Sequence, residues 1–203
     1  LELTHSRGPW LGEPLAAVLL GSGLKDSEAA ELIAFGADEV ILVDHPDLGV
    51  YMTEPYTKAV VKAIAERKPG VVFFGATTIG RDLAPRVSAR VKTGLTADCT
   101  ALAVEDGTRN LLMTRPAFGG NIMATIVCPE HRPQMSTVRP GVMRKLERDG
   151  ARKGRVSRLA VEIEAKDRSG SASGGYWPIC ARFSPISSET MPLSKADLAI
   201  RSA

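Results

Sequence analysis

The chain has 203 residues, 44% apolar and 24% charged, which suits one α/β-sized domain or one domain with an appendage. No apolar run approaches the ~18 residues of a membrane-spanning helix, so no membrane span is expected. The formal charge of +3 divides unevenly: residues 15–143 hold 13 basic against 14 acidic side chains, and residues 144–203 hold 12 against 7. The basic end mixes signs and has no stacking pattern of aromatics, which argues against nucleic acid as a partner.

The N-terminal stretch LELTHSRGPWLGEP, residues 1–14, has neither an apolar core segment nor a cleavage signature, so no secretory signal is read there. Three scattered cysteines, Cys99, Cys128 and Cys180, suggest neither a metal site nor a disulfide framework, and a reducing compartment is expected.

LAAVLLG, from Leu15 to Gly21, is a continuous apolar run of strand length, as in a strand covered on both faces. Asp26 and Ser27 offer caps to a short helix closed by Gly36. EVILVD, from Glu39 to Asp44, is a second buried strand. Thr53 is expected to cap a helix with Pro55 in its first turn and a buried stripe of Tyr56, Val60, Val61 and Ile64. VVFFG is a third strand, and Leu83, Val87 and Val91 mark a helix from Arg81 to Lys92. Strands alternating with helices over short loops imply right-handed crossovers and a parallel sheet.

The pattern then changes. Two β-like runs flank the turn Glu105-Asp106-Gly107 and read as a hairpin, and NIMATIVC and QMSTVRPG add two strands. RLAVEIE alternates well enough for one more strand, whereas Asp167 to Thr190 is crowded with Ser, Gly and Pro and shows no period. The expected fold is therefore a Rossmann-like α/β domain, an open and mostly parallel sheet with helices on both faces and a strand-rich antiparallel second half. The expected division is a divergent segment over residues 1–14, the α/β domain over 15–143, and an irregular tail over 144–203, with the residues beyond about Ile163 not joining the core.

Two loops invite a ligand. GSGLKD, from Gly21 to Asp26, begins like a dinucleotide fingerprint but has Asp26 where the last glycine belongs, so a plain strand-to-helix turn is favoured. GATTIGRD lies at the carboxyl end of a strand and opens a helix, where free amides favour an anion. Gly80 and Arg81 are the candidate cofactor-binding residues there. Asp82 opposes a phosphate, so a self-capped helix with Arg81 at a surface or an interface is the competing reading. TRPAFGGN and HRPQMSTVRPGVM each pair arginine with proline in a turn, a rigid display of a planar donor fork. No nucleophile–base pair and no metal-ligand spacing is found, and His131 reads as a surface histidine.

The strings GATTIGRDLAPRVSARVKTGLTADCT, TRPAFGGNIMATIVCPEHRPQMSTVRPGVM and ELIAFGADEVILVDHP resemble the electron transfer flavoprotein alpha subunit, almost continuously from Leu15 to Met143. The resemblance implies an electron carrier rather than an enzyme. Its FAD lies mainly in a C-terminal domain of the alpha subunit, and the subunit pairs with an electron transfer flavoprotein beta subunit. Electrons pass from acyl-CoA or other dehydrogenases, as in fatty acid β-oxidation, to a quinone reductase. The loop at Gly80 and Arg81, which holds a nucleotide phosphate in the related beta subunit, is expected to be empty. Arg115, Phe118, Asn121, Arg139 and Met143 become the candidate partner interface.

The resemblance implies a cytoplasmic location in a bacterium or archaeon, or the mitochondrial matrix in a eukaryote. The strand and long helix that open the family have no counterpart before Leu15, and the Gly-Gly-Arg-Gly opening of the FAD domain has none after LSKADLAIRSA. Likeness is expected to lapse between Asp167 and Pro192. These departures suggest a truncated or frameshifted reading. The alternative functions are an adenine-nucleotide-binding α/β domain or a stand-alone interaction module.

Overall fold

A computed structural model describes residues 14–169 and 198–202. The three continuous apolar runs form β1 (Leu15–Gly21), β2 (Glu39–Asp44) and β3 (Pro69–Gly75). Their side chains alternate between two cores, which is why each run is apolar throughout. Val18, Leu20, Ile41, Val43, Val72 and Phe74 face one side, and Leu19, Val40, Leu42, Val71 and Phe73 face the other.

The first face is covered by helices α2 (Thr53–Arg67) and α3 (Thr78–Val91), through Tyr56, Val60, Ile64, Leu83 and Val87. The second face is covered in two parts. Helix α1 (Asp26–Ala34) packs Ala29 and Ile33 onto β1 and β2. Over β3 its place is taken by an antiparallel sheet of β5 (Ala101–Val104), β6 (Leu111–Ala117) and β7 (Ile122–Ile126), which buries Leu111 and Met113 against Val71 and Phe73.

The large sheet runs β4-β8-β3-β10-β1-β2-β9, where β4 is Leu95–Cys99, β8 Gln134–Val138, β9 Arg155–Arg158 and β10 Leu198–Ser202. All its pairings are parallel except those of β10, which lies antiparallel to both β1 and β3. The mixed α/β architecture, the hairpin around Asp106 and the helix marked by Leu83 and Val87 agree with the sequence.

Several local expectations are corrected. Met52, not Thr53, precedes α2 as its cap residue, because the Thr53 hydroxyl donates to Asp82 Oδ2 at 2.6 Å. Helix α1 is entered from Lys25, whose amide donates to the Glu28 carboxylate at 3.1 Å, so Asp26 is the first helical residue rather than the cap. The sheet also continues beyond Met143. RLAVEIE is not a strand; β9 comes just before it, pairs in parallel with β2, and is followed by Val161 in the core. A short helix, α4 (Ala165–Ser169), lies beside α2, with Lys58 bonded to Asp167 at 2.8 Å. With β10 in the middle of the sheet, the expectation that nothing past Ile163 joins the core does not hold for Leu198–Ser202. Most of the Asp167 to Thr190 stretch lies outside the described residues.

Candidate functional site

The carboxyl ends of β1 and β3 flank the point where strand order reverses, the place where open α/β sheets put a ligand. Both ligand-type loops start there, and both give amides to the chain's own side chains. After β1, the amides of Gly23 and Leu24 donate to the two carboxylate oxygens of Asp44, at 2.8 and 3.2 Å. Asp44 ends β2 at the spacing where dinucleotide folds keep a ribose-binding acid. Here it turns back onto the glycine loop and takes the amides that a phosphate would use. GSGLKD is thus a strand-to-helix turn, as the displaced glycine suggested.

The loop after β3 is closed in a similar way. Thr77 caps α3, its hydroxyl oxygen accepting from the Gly80 amide at 3.2 Å. A Cβ at Gly80 would lie 1.8 Å from the carbonyl oxygen of Gly75, so only glycine lets the helix sit this close to the strand. Arg81 folds back, and its Nε donates to the Ala76 carbonyl at 2.9 Å. Asp82 accepts from the Tyr51 hydroxyl at 2.5 Å and from Thr53. Burial, with the Asp82 carboxylate beside it, pushes the Tyr51 hydroxyl well above its ordinary range.

Two strands out from β3, on β4, Asp98 sits in a left-handed conformation with φ of 61°. Its amide donates to Thr137 Oγ1 at 2.8 Å. Arg139 grips its carboxylate with both arms of the fork, at 3.1 and 2.6 Å, and Arg81 adds a longer contact of 3.5 Å. The Arg139 hydrogen bonds outweigh partial burial and hold Asp98 below the usual carboxylate range. Arg139 is therefore committed to an internal ion pair.

The other interface candidates lie along or near the β6–β7 hairpin. Phe118, at its tip, is 83% exposed and has φ of 48°, and Asn121 beside it is exposed. Arg115 is half-buried on β6 opposite Ala124, and Met143 is half-buried beyond β8. His131 is exposed, and no cluster of metal-ligating side chains occurs among the described residues. Gly80 and Arg81, the candidate cofactor-binding residues, lie in the first turn of α3. The residues that engage the two loops, Asp44 after β1 and Thr77 and Asp98 beside Gly80 and Arg81, were not singled out from sequence. Only Asp44 carried a signal, an acid ending the second strand.

A flavin dinucleotide needs free donors for its pyrophosphate. The amides of Gly23, Leu24 and Gly80 and the Nε of Arg81 are each taken by an internal acceptor, and backbone fills the space above Gly80. The described residues of this crevice do not fit FAD.

The electron transfer flavoprotein domain model matches residues 6–164. Protein FixB of Clostridium saccharobutylicum is 56% identical over 160 residues, covering 77% of this chain and 46% of that protein. The electron transfer flavoprotein subunit alpha of Thermoanaerobacterium thermosaccharolyticum is 53% identical over 156 residues, covering 77% and 47%. Protein FixB of Rhizobium meliloti is 40% identical over 198 residues, covering 94% of this chain and 52% of that protein. That alignment takes in nearly the whole chain, whereas the domain match ends at residue 164, just before the Ser/Gly/Pro-rich stretch. The chain spans about half the length of these curated relatives. The match over residues 6–164 and these identities show that the chain belongs to the electron transfer flavoprotein family, among its alpha subunits and FixB proteins.

Proposed function

We propose that this chain is the partner-docking half of an electron transfer flavoprotein alpha subunit. It is an electron carrier component with no catalytic site of its own, and it works in the cytoplasm with a beta subunit. The FAD that carries the electrons is held outside the crevice described above, by a second alpha-subunit domain together with the beta subunit. A dehydrogenase supplies the electrons and a quinone reductase or another acceptor receives them.

The observation that carries this reading is the small antiparallel sheet. Its apolar face begins in the core at Leu111 and Met113, both 1% exposed, and runs on past the body of the domain. Ile122 and Ile126 continue that face and are 54% and 39% exposed, while Met123 lies on the opposite face at 55%. With Phe118 they form an apolar arm, the composition of an interface centre. The nucleotide-binding alternative has no comparable support, because the amides of Gly23, Leu24 and Gly80 and the Nε of Arg81 are spent internally.

Co-expression with a family beta subunit tests the reading. The wild-type chain should co-purify with it, and Phe118→Ala combined with Ile122→Ala should release it while the domain stays folded. Equal recovery of the double variant would count against the hairpin as the docking surface.

A further inference from the structure

Three guanidinium groups and one carboxylate gather at the root of the exposed hairpin. Arg139 and Arg81 both reach Asp98, and Arg115 is close enough to interact with the Asp98 charge. The Thr100 amide donates to the Thr114 carbonyl at 2.9 Å, which sets Arg115 beside the Asp98–Cys99 segment. Asp98 spends both oxygens on Arg139 and Arg81. The other acid of the crevice, Asp82, is bonded to Tyr51 and Thr53. The group therefore has surplus positive charge, three guanidinium groups sharing the one Asp98 carboxylate.

Arg115 records that surplus. Its Nε is buried and has no hydrogen-bond partner among the described residues. A buried guanidinium donor without an acceptor is costly. Arg115 is half-buried and shares the face of β6 and β7 that carries Ala117, Ile122, Ala124 and Ile126, so it stands at the inner edge of the exposed apolar surface already described. An arginine set among apolar side chains and missing its acceptor is what a hot spot lacks before its partner arrives.

We propose that Arg115 is the polar anchor of this surface and that the beta subunit supplies a carboxylate side chain to it, seated among Ala117, Ile122 and Ala124. The inference rests on the docking reading above and adds the chemistry of the contact. Arg139 and Arg81 keep Asp98 neutralised, so the incoming carboxylate meets positive potential rather than repulsion.

The test measures the Kd of the 203-residue chain for a family beta subunit across a salt series. Arg115→Gln should raise Kd by about 30-fold and flatten its dependence on salt. Arg115→Met, which keeps the apolar stem, should do the same and serves if the first variant folds poorly. Ile122→Ala should raise Kd with the salt dependence unchanged. Wild-type affinity in the Arg115 variants, or lost affinity with an unaltered salt dependence, overturns the carboxylate anchor and leaves the docking surface standing. No association of the wild-type chain overturns both. Inorganic phosphate, titrated calorimetrically, should give no heat of binding at millimolar concentration; saturable binding lost in Arg115→Gln would identify a small-anion site and overturn the proposal.

Discussion

Replacing Gly80 by alanine tests why α3 starts where it does. In an ordinary helix the change would stabilise by about 1 kcal/mol, since alanine is the best helix former and glycine among the worst. Here the new Cβ would lie 1.8 Å from the Gly75 carbonyl oxygen and 3.0 Å from its carbon. Ordinary contact begins at 3.4 Å, so the shortfall is 1.6 Å, and both offending atoms are backbone that cannot rotate away. The helix would have to lift from the strand, loosening Leu83 and Val87 from Val72 and Phe74. Overpacking of a core costs about 1–3 kcal/mol and sometimes more, so a net destabilisation of about 2 kcal/mol is expected despite the better propensity. Gly107→Ala is the control. Its φ is 81° and nothing lies within 4 Å, so only left-handed backbone strain of about 1 kcal/mol should appear. Urea unfolding followed by far-UV circular dichroism reads both. A Gly80→Ala chain as stable as wild type would refute the close seating of α3 on β3.

Asp98 is held below the ordinary carboxylate range, so its contribution to stability is present above that range and is lost as pH falls through its folded-state pKa. Asp98→Asn should therefore reduce stability near neutrality and remove part of the acid-limb slope, seen in melting curves from neutral to strongly acidic pH; parallel curves would contradict the ion pair. Phe118→Ala alone should change stability by less than about 0.5 kcal/mol in urea titration, because the side chain touches little of its own domain. Hydrogen exchange should show Leu198–Ser202 protected alongside β1 and β3, between which it pairs. Exchange there at the rate of an open chain would contradict its place in the sheet.

Much of the fold was legible in the sequence because burial on both faces leaves an unmistakable run. LAAVLLG and EVILVD are such runs, and the stripe of Leu83 and Val87 is a clear helical period. The strand β9 was not legible. RVSR carries two arginines and a valine 42% exposed, and it joins the sheet edge through backbone pairing with Glu39 to Leu42. RLAVEIE misled because Leu159, Val161 and Ile163 do pack on the core, but past the Leu159 amide, which bonds to the Leu42 carbonyl, the segment leaves the sheet. Caps failed for a related reason: Thr53 has the right chemistry for a cap, but Asp82, 29 residues away, claims its hydroxyl.

The candidate site was legible in position and not in state. Glycine and a following helix at a strand end announced the crevice, and Asp82 hinted that a phosphate would be unwelcome there. What closes it is long-range. Asp44 is 20 and 21 residues from the amides it accepts, and Asp98 is 41 from Arg139. Arg139 looked like a free surface arginine because nothing near it in the chain is acidic. Spacing along a sequence does not reveal which carboxylate the fold will deliver to a loop.

In the proposed role this domain docks a partner while its own crevice is closed to the flavin. Gel filtration of the 203-residue chain with excess FAD, run alone and with a family beta subunit, tests it most directly by where protein and flavin absorbance elute. The chain alone should elute without flavin, binding FAD no tighter than about millimolar, and should move to the heavier fraction when the beta subunit is present. Stoichiometric flavin on the chain alone, with no shift toward the beta subunit, would contradict it.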